Sequence, residues 1–374
     1  MTDGRSDVAV IGGGIMGLSI AYAVARQGKS VTLFEAETLT HEHGGSHGKA
    51  RIIRLSYDDP FYVGLAQEAF EAWHALGSVA RKDLYKVTGS LDIDLSGQRR
   101  FDGHRDALAE CGVSSKLMSA TEINDAYPEL NLPDEATGLW QHRSAVLNAD
   151  LCSAALADEA RRYGAHLWTG CKVNRVIPDD RIRLDTTQGM HHADTVVIAT
   201  GDQVARFASD LGTHLPLTKS LEEVSFYEPL EPEAHLADHM PLLIFHLGNG
   251  VLSSVFPIHR DAGVKIMVEN NGRDTSPPER LTEHKVAEIA ETILPVLPRL
   301  PRAPSGTNLC HYILTPNGDF ILDRLPGHPQ IIMCSACSGH GFKFAPVLGE
   351  MVAQLITSDF VQPSLFMISN HSTS

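Results

Sequence analysis

Three glycines and one acid carry the most direct chemical statement in this chain. Gly12, Gly14 and Gly17 stand in the spacing Gly-x-Gly-x-x-Gly directly after the apolar run Val8-Ala-Val-Ile11, and Glu35 follows 18 residues beyond Gly17. A glycine at the first position permits a tight turn. One at the second lets backbone N–H groups approach a pyrophosphate, and one at the third lets helix and strand pack closely. The helix N-terminus that follows favours phosphate charge. Glu35 closes a second apolar run, 30–34, where a carboxylate can accept both hydroxyl hydrogen bonds of an adenosine ribose. The unit predicts a dinucleotide site, with Ile15 and Met16 among its contacts, and leaves NAD and FAD both open. Other reactive residues are less promising. Cys334-Ser-Ala-Cys337 has redox spacing, but it follows a strand end instead of opening a helix, so no redox role is expected. His41, His43, His47 and the pair His191-His192 lack ligand spacing with nearby acids, so no metal site is expected. Lys265 lies among Gly263, Val264 and Ile266, and Lys343 lies between Phe342 and Phe344; neither sits in a sequence context typical of a solvated lysine.

The elements that must hold these residues alternate in style. After the first strand–helix–strand, Asp58-Asp59-Pro60 starts a helix that carries Leu65, Ala66, Ala69, Phe70, Trp73 and Leu76 at helical spacing, and Gly77 is expected to end it. Residues 84–95 read as strand–turn–strand. Asp150 is expected to cap a helix running to Tyr163, ended by Gly164. Strands follow at 165–168 and 172–177, then a buried strand over 191–201 ending in Ala-Thr-Gly201. Residues 222–270 are strand-rich, 280–294 form a helix closed by prolines, and the chain returns to strand (331–334), Gly-rich turn (338–342) and helix (346–356). Nucleotide-type α/β segments thus stand at the start, middle and end, separated by two strand-rich insertions. That is the plan of large flavoproteins rather than of a simple NAD dehydrogenase.

Composition narrows the partners. The chain of 374 residues carries a formal net charge of −15, which argues against nucleic acid and anionic membranes. No run of 18 apolar residues is present, and the first strand begins too early for a signal peptide, so a soluble cytoplasmic protein is expected. The ending His371-Ser-Thr-Ser374 is not the Ser-Lys-Leu of peroxisomal proteins. Six scattered Cys show no disulfide framework.

Three further segments resemble one family. They are Gly45-Ser-His-Gly-Lys-Ala-Arg-Ile-Ile-Arg54, Cys310-His-Tyr-Ile-Leu-Thr-Pro-Asn-Gly-Asp-Phe-Ile-Leu-Asp323 and Ser338-Gly-His-Gly-Phe-Lys-Phe344. With the glycine unit they are similar to the monomeric sarcosine oxidase group of the D-amino-acid-oxidase-like flavoproteins. The resemblance implies an α/β fold: a Rossmann-like FAD-binding domain of the GR2 type, assembled from 1–82, 148–220 and 319–374, and a strand-rich α+β substrate domain from 83–147 and 221–318. It implies FAD, bonded covalently through Cys310, with Ser46, His47, Arg51, Val173, Gly201, Gly339, Gly341, Phe342 and Lys343 among its contacts. By the same resemblance Lys265 activates O2, Arg54 and Lys343 hold a substrate carboxylate, and Tyr312 lies in the active site. The expected activity is oxidation of a carboxylated secondary amine by O2, giving an imine and H2O2, in a monomer.

The chain also departs from that group. Glu269 stands where sarcosine oxidases carry a His, Ser254 where they carry a Tyr, and Phe245 near a pocket-lining Met. The spacing of Lys265 and Glu269 resembles fructosyl amino acid oxidases (amadoriases). Such an oxidase, one of saccharopine or pipecolate type, a quinone-linked amino acid dehydrogenase and a flavin-binding sensor or structural protein are the alternatives.

Overall fold

The structure, a computed structural model, describes residues 4–39, 41, 44–98 and 101–371; His43 and the chain's last three residues lie outside these. The apolar run after the N-terminus forms the central strand, Arg5–Ile11. It pairs in parallel with Val31–Phe34 on one side and with Gly189–Ile198 on the other. Val31–Phe34 pairs in turn with His166–Trp168, and Gly189–Ile198 with His328–Ser335, both in parallel. Five parallel strands from three remote stretches thus build one sheet, extended to eight by Ile321–Leu325 and by a meander of Val173–Ile177 and Ile182–Thr186. A parallel sheet needs helices over its faces. The helix Ile15–Arg26, buried along nearly its whole length, supplies one and packs against Ala149–Arg162 and Ala345–Thr357.

A second eight-stranded sheet runs in the order Gly306–Leu314, Thr218–Tyr227, Val264–Val268, Leu252–Phe256, Leu242–His246, Ser90–Asp94, Thr137–Gln141, Lys116–Ser119. All its neighbours are antiparallel except Ser90–Asp94 and Leu242–His246, whose parallel pairing joins the two insertions into one sheet. A small sheet of Ala50–Ile53, Ala145–Asn148 and Tyr85–Val87 lies beside it, and its Ala50 and Val146 share an apolar cluster with Leu242 and Phe256. The chain is therefore an α/β protein with a Rossmann-like unit built from discontinuous segments and a strand-rich α+β unit. Among the described residues no helix is long and apolar enough to cross a membrane.

Two local expectations are corrected. The helix begun by Asp59, whose carboxylate accepts from Phe61 N, passes through Gly77 and ends at Ala80, with Arg81 left-handed. Gly77 is instead a point of close approach: a Cβ there would stand 3.0 Å from the Lys82 carbonyl oxygen. Both strands expected in 84–95 form; Tyr85–Val87 joins the small sheet and Ser90–Asp94 the large one. Asn148, not Asp150, is the N-cap of Ala149–Arg162, and Asp150 makes a bidentate pair with Arg260 at 2.5 and 2.9 Å. A local cap signal was outcompeted there by a guanidinium distant in sequence.

The third glycine of the turn packs as its position suggests. A Cβ on Gly17 would lie 1.9 Å from the Gly12 carbonyl oxygen, well inside contact distance. Gly17→Ala is therefore expected to destabilise the fold by about 2 kcal/mol or more, since neither backbone can move without opening the strand–helix turn. A thermal melt of the purified variant checks this. An unchanged melting temperature would show that the turn tolerates the methyl group.

Candidate active site

A cavity of about 1120 Å³ begins at Gly12–Met16 and Glu35 and reaches Arg54, Glu269, Tyr312 and Lys343. It is at or above the upper end of ordinary small-molecule sites, large enough for an extended cofactor and a substrate together. At the glycine end, Glu35 turns its carboxylate back on the turn: Oε2 accepts from Gly13 N at 2.6 Å and Oε1 from Glu37 N at 2.9 Å. The helix Ile15–Arg26 has no side-chain cap from its own N-cap residue, Gly14. Ser46, from the loop before the small sheet, comes to this terminus, and its Oγ accepts from Ile15 N at 3.0 Å.

Val173 and Gly201 line the cavity near the glycine end. Val173 is two residues from Cys171, whose N donates to the Glu35 carbonyl at 2.9 Å, and Gly201 is beside Thr200, which packs on Gly12. His47, Arg51, Gly339, Gly341 and Phe342 line the cavity as well. Arg51 pins the loop by donating to the carbonyls of Ala50, Gly45 and His47 at 2.9, 2.9 and 2.7 Å, and lies over the Phe342 ring. Two polar atoms of residues lining this cavity, Thr200 Oγ1 and His311 Nδ1, are buried without a hydrogen-bond partner among the described residues. Neither atom is open to the cavity, so the features that fit a bound dinucleotide are the glycine turn, the N-terminus of Ile15–Arg26 and Glu35.

At the far end the predicted cations come together. The Arg54 guanidinium donates to the Ser56 carbonyl and to Ser56 Oγ at 3.1 Å, and lies 4.9 Å from the Tyr57 ring centroid. Lys343 is buried, and its Nζ donates to Tyr57 Oη at 2.9 Å and to the His340 carbonyl at 3.1 Å. Trp73 Nε1 holds the Lys343 carbonyl at 2.8 Å. Tyr57 is thus the spacer between two like charges. Burial, then the repulsion of Arg54, holds the Lys343 ammonium well below the usual lysine range, while Glu269 acts against this. Glu269 faces the same space, with Oε2 accepting from Asn271 Nδ2 at 2.9 Å. Burial pushes its carboxyl up, and the charge of Glu222 adds to that. Tyr312 also lines this end, its ring against Gly339, where a Cβ would meet it at 3.0 Å.

Three of the predicted residues do not line the cavity. Gly17 packs in the turn. Lys265 stands behind the wall: it is buried, its Nζ donates to the Ala50 carbonyl at 3.1 Å and lies 4.4 Å from the centroid of Phe256, which does line the cavity. Burial, helped by the charge of Arg51, lowers its ammonium to about 7. Cys310 stands opposite Glu222 on the neighbouring strand; burial pushes its thiol up, while Arg51 and Lys265 pull it down. Phe245, expected near the pocket, is fully buried off the wall, and Ile244 beside it lines the cavity instead. Ser254 does line it.

The pair Cys334 and Cys337 is built into the wall. All described cysteines are free, burial pushes the Cys334 thiol up to about 12, and Cys337 Sγ accepts from Ile313 N at 3.4 Å. Tyr57, Asp92 and His246 join this region without a motif that marks them as site residues, and His340 comes with the Ser338–Phe344 motif. Burial pushes Asp92 up, but hydrogen bonding from His246 and the Arg54 charge hold its carboxyl below the usual range. Asp92, His104 and His246 form a buried group whose ligand-type atoms lie within 4.8 Å of one another. Asp92 alternates with Leu91 and Ile93 in a strand buried on both faces, so only an acid among apolar neighbours marked it.

A parallel Rossmann-like sheet, a glycine turn leading into a helix, and a cavity running from that turn to a cluster of charges define a dinucleotide-dependent oxidoreductase. The sequence profile of the FAD dependent oxidoreductase (DAO) family matches residues 7–355, and the chain belongs to that family. It is 28% identical over 357 residues to monomeric sarcosine oxidase of Bacillus sp. (strain B-0618), covering 93% of this chain and 91% of the relative. It is 27% identical to N-methyl-L-tryptophan oxidase of Salmonella arizonae, covering 93% and 94%. The fold superposes on the open form of NikD, described as an unusual amino acid oxidase essential for nikkomycin biosynthesis, with a TM-score of 0.83 at 23% identity and 97% coverage of both chains. FAD is the cofactor of this family, and the glycine turn, the helix N-terminus that follows it and Glu35 fit it.

Proposed function

We propose that this enzyme oxidises a carboxylated secondary amine of the N-alkyl amino acid class to an imine, with O2 reduced to H2O2. One observation carries the reading: two buried or half-buried cations, Arg54 and Lys343, share a wall at the end of the cavity remote from the dinucleotide turn, and Glu269 faces the same space. A carboxylate fits the cations, through the fork of Arg54 and the point charge of Lys343. Bound FAD supplies the two-electron oxidation of the C–N bond. In this reading Gly12, Gly14, Ile15, Met16, Glu35, Ser46, Val173 and Gly201 hold its ADP half, and His47, Arg51, Gly339, Gly341, Phe342 and Lys343 lie along the rest. Cys310 would be the residue that holds the flavin covalently, Arg51 and Lys265 favouring its thiolate against the cost of burial. Lys265 presents an ammonium to O2 from behind Phe256, and Tyr312 completes the floor. The two sets of segments, 1–82, 148–220 and 319–374 against 83–147 and 221–318, act as cofactor and substrate domains of a monomer.

Glu269 favours a substrate with more than one polar end. A negative charge beside the reacting amine would stabilise the unreactive ammonium, so the carboxylate is better used on a hydroxyl-rich or cationic arm. Fructosyl amino acids and saccharopine meet this more fully than sarcosine or pipecolate.

A peroxide-coupled screen of N-methyl amino acids, pipecolate, saccharopine and fructosyl amino acids tests the reading; peroxide from none of them, with an artificial acceptor reduced instead, would make the enzyme a dehydrogenase. The flavin link has its own check. Yellow colour is expected to stay with acid-precipitated protein and to be released to the supernatant by Cys310→Ala. Release from the unaltered protein would sink the covalent assignment.

A further inference from the structure

We infer that Asp92, held by His246 and linked through Ser56, is the positioning residue of the Arg54 guanidinium, so that a buried network off the cavity wall aims the carboxylate-binding fork. The inference rests on Arg54 as the carboxylate ligand proposed above. Asp92 is completely buried at the centre of Ser90–Asp94 and stands opposite Ile244, which lines the cavity. Each of its oxygens has a partner. Oδ1 lies 2.9 Å from His246 Nε2, and Oδ2 accepts from Ser56 Oγ. An ionised carboxylate only accepts, so the His246 proton sits on Nε2. The Ser56 proton is committed to Asp92, which turns the oxygen's lone pairs outward, and there Arg54 Nη1 donates at 3.1 Å. The same Nη1 lies 3.9 Å from Asp92 Oδ1. Arg54 thus receives both a counter-charge and an oriented acceptor from one buried acid.

The support of that acid is rigid. The His246 ring meets Phe101 edge-on at 5.1 Å and His104 at 5.5 Å between centroids. Burial lowers His104 to about 4, with Arg54 and His246 adding to this, so it packs as a neutral ring. Asp92, His104 and His246 also have the composition of a metal site. The guanidinium beside Asp92 argues for the positioning role instead. A dication there would face a fixed cation with one carboxylate to balance both charges.

Positioning makes a specific demand. The network must matter to ligands that carry a carboxylate and be indifferent to those that do not. The holoenzyme is titrated with 2-furoate and with neutral 2-furamide, reading the perturbation of flavin absorbance, in the unaltered protein and in Asp92→Asn, Ser56→Ala and Arg54→Ala. Asp92→Asn and Ser56→Ala are each expected to weaken 2-furoate about tenfold or more, with 2-furamide changed less than about twofold. In turnover the loss should fall on KM for carboxylated amines, with kcat for an uncarboxylated amine kept. Ser56→Ala leaves the buried acid and its His246 bond in place, so it decides the matter if Asp92→Asn does not fold. If 2-furoate binds Ser56→Ala as it binds the unaltered enzyme while Arg54→Ala loses it, the network is structural only and the inference is overturned. If Arg54→Ala also binds 2-furoate normally, the carboxylate reading itself falls and this inference with it.

Discussion

Replacing Lys265 with Met is expected to lower oxygen-dependent turnover by about two orders of magnitude or more, while turnover with an artificial acceptor such as a dichlorophenolindophenol dye stays near its original rate. Reduction of O2 passes through superoxide, and a preorganised ammonium in a dry site stabilises that developing anion. Lys265 has that setting: among the described residues no carboxylate pairs with it, its Nζ rests on the Ala50 carbonyl, and Phe256 covers it. Unfolding is a poor explanation for the loss, because burial already disfavours the charged lysine and Met replaces it with an apolar chain of similar length. The pH dependence has a definite sign. Burial first, and Arg51 second, lower the ammonium to about 7, so its charge is complete below that pH and lost above it. Oxygen-dependent kcat/KM should therefore fall as pH rises through this region, and an anionic cofactor nearby would move the falling limb upward. The Met variant should lack this limb. Equal loss with O2 and with the dye would show that Lys265 serves the amine half of the reaction or the fold. Unchanged reaction with O2 would remove its oxidase role.

The first strand–helix–strand was readable because each of its requirements is local: the turn needs glycine, the helix needs an apolar stripe, and the ribose needs an acid at a strand end. Gly12 and Gly17 show why, each standing where a Cβ would strike backbone. The same locality misled at Gly77 and Asp150. A glycine near a helix end and an acid near a helix start are good local signals, yet the Lys82 carbonyl and Arg260 decide what they do. The pairing of Ser90–Asp94 with Leu242–His246 had no sequence signal, because parallel partners some 150 residues apart share no turn. The charged end of the site followed the same division. Arg54 and Lys343 stood in recognisable motifs. Their spacer Tyr57 and the acid behind Arg54 became legible only once the fold brought Asp92, Ser56 and His246 together.

Arg54→Ala is expected to cut kcat/KM for a carboxylated amine by about a hundredfold to a thousandfold, the cost of removing one partner of a desolvated, hydrogen-bonded charge pair. Arg54→Lys should recover only part of this, because a point charge cannot reproduce the planar fork. An amine of matching size without the carboxylate should react at similar rates with all three proteins. Equal losses for both substrates would mean that the variant had damaged the site generally. The same substitution carries a stability signature that separates binding from folding. Arg54 helps hold the buried Asp92 below its ordinary carboxylate range, so the pair contributes stability above the unfolded pKa of Asp, about 4, and loses it as pH falls through the lower folded value. Arg54→Ala should therefore melt lower than the parent at neutral pH, and the gap should narrow as pH falls below about 4. A gap that stays constant with pH would place its origin in lost packing against Tyr57 instead of in the charge of Asp92. The catalytic loss and the stability loss must then be judged separately: only the first should depend on whether the substrate carries a carboxylate.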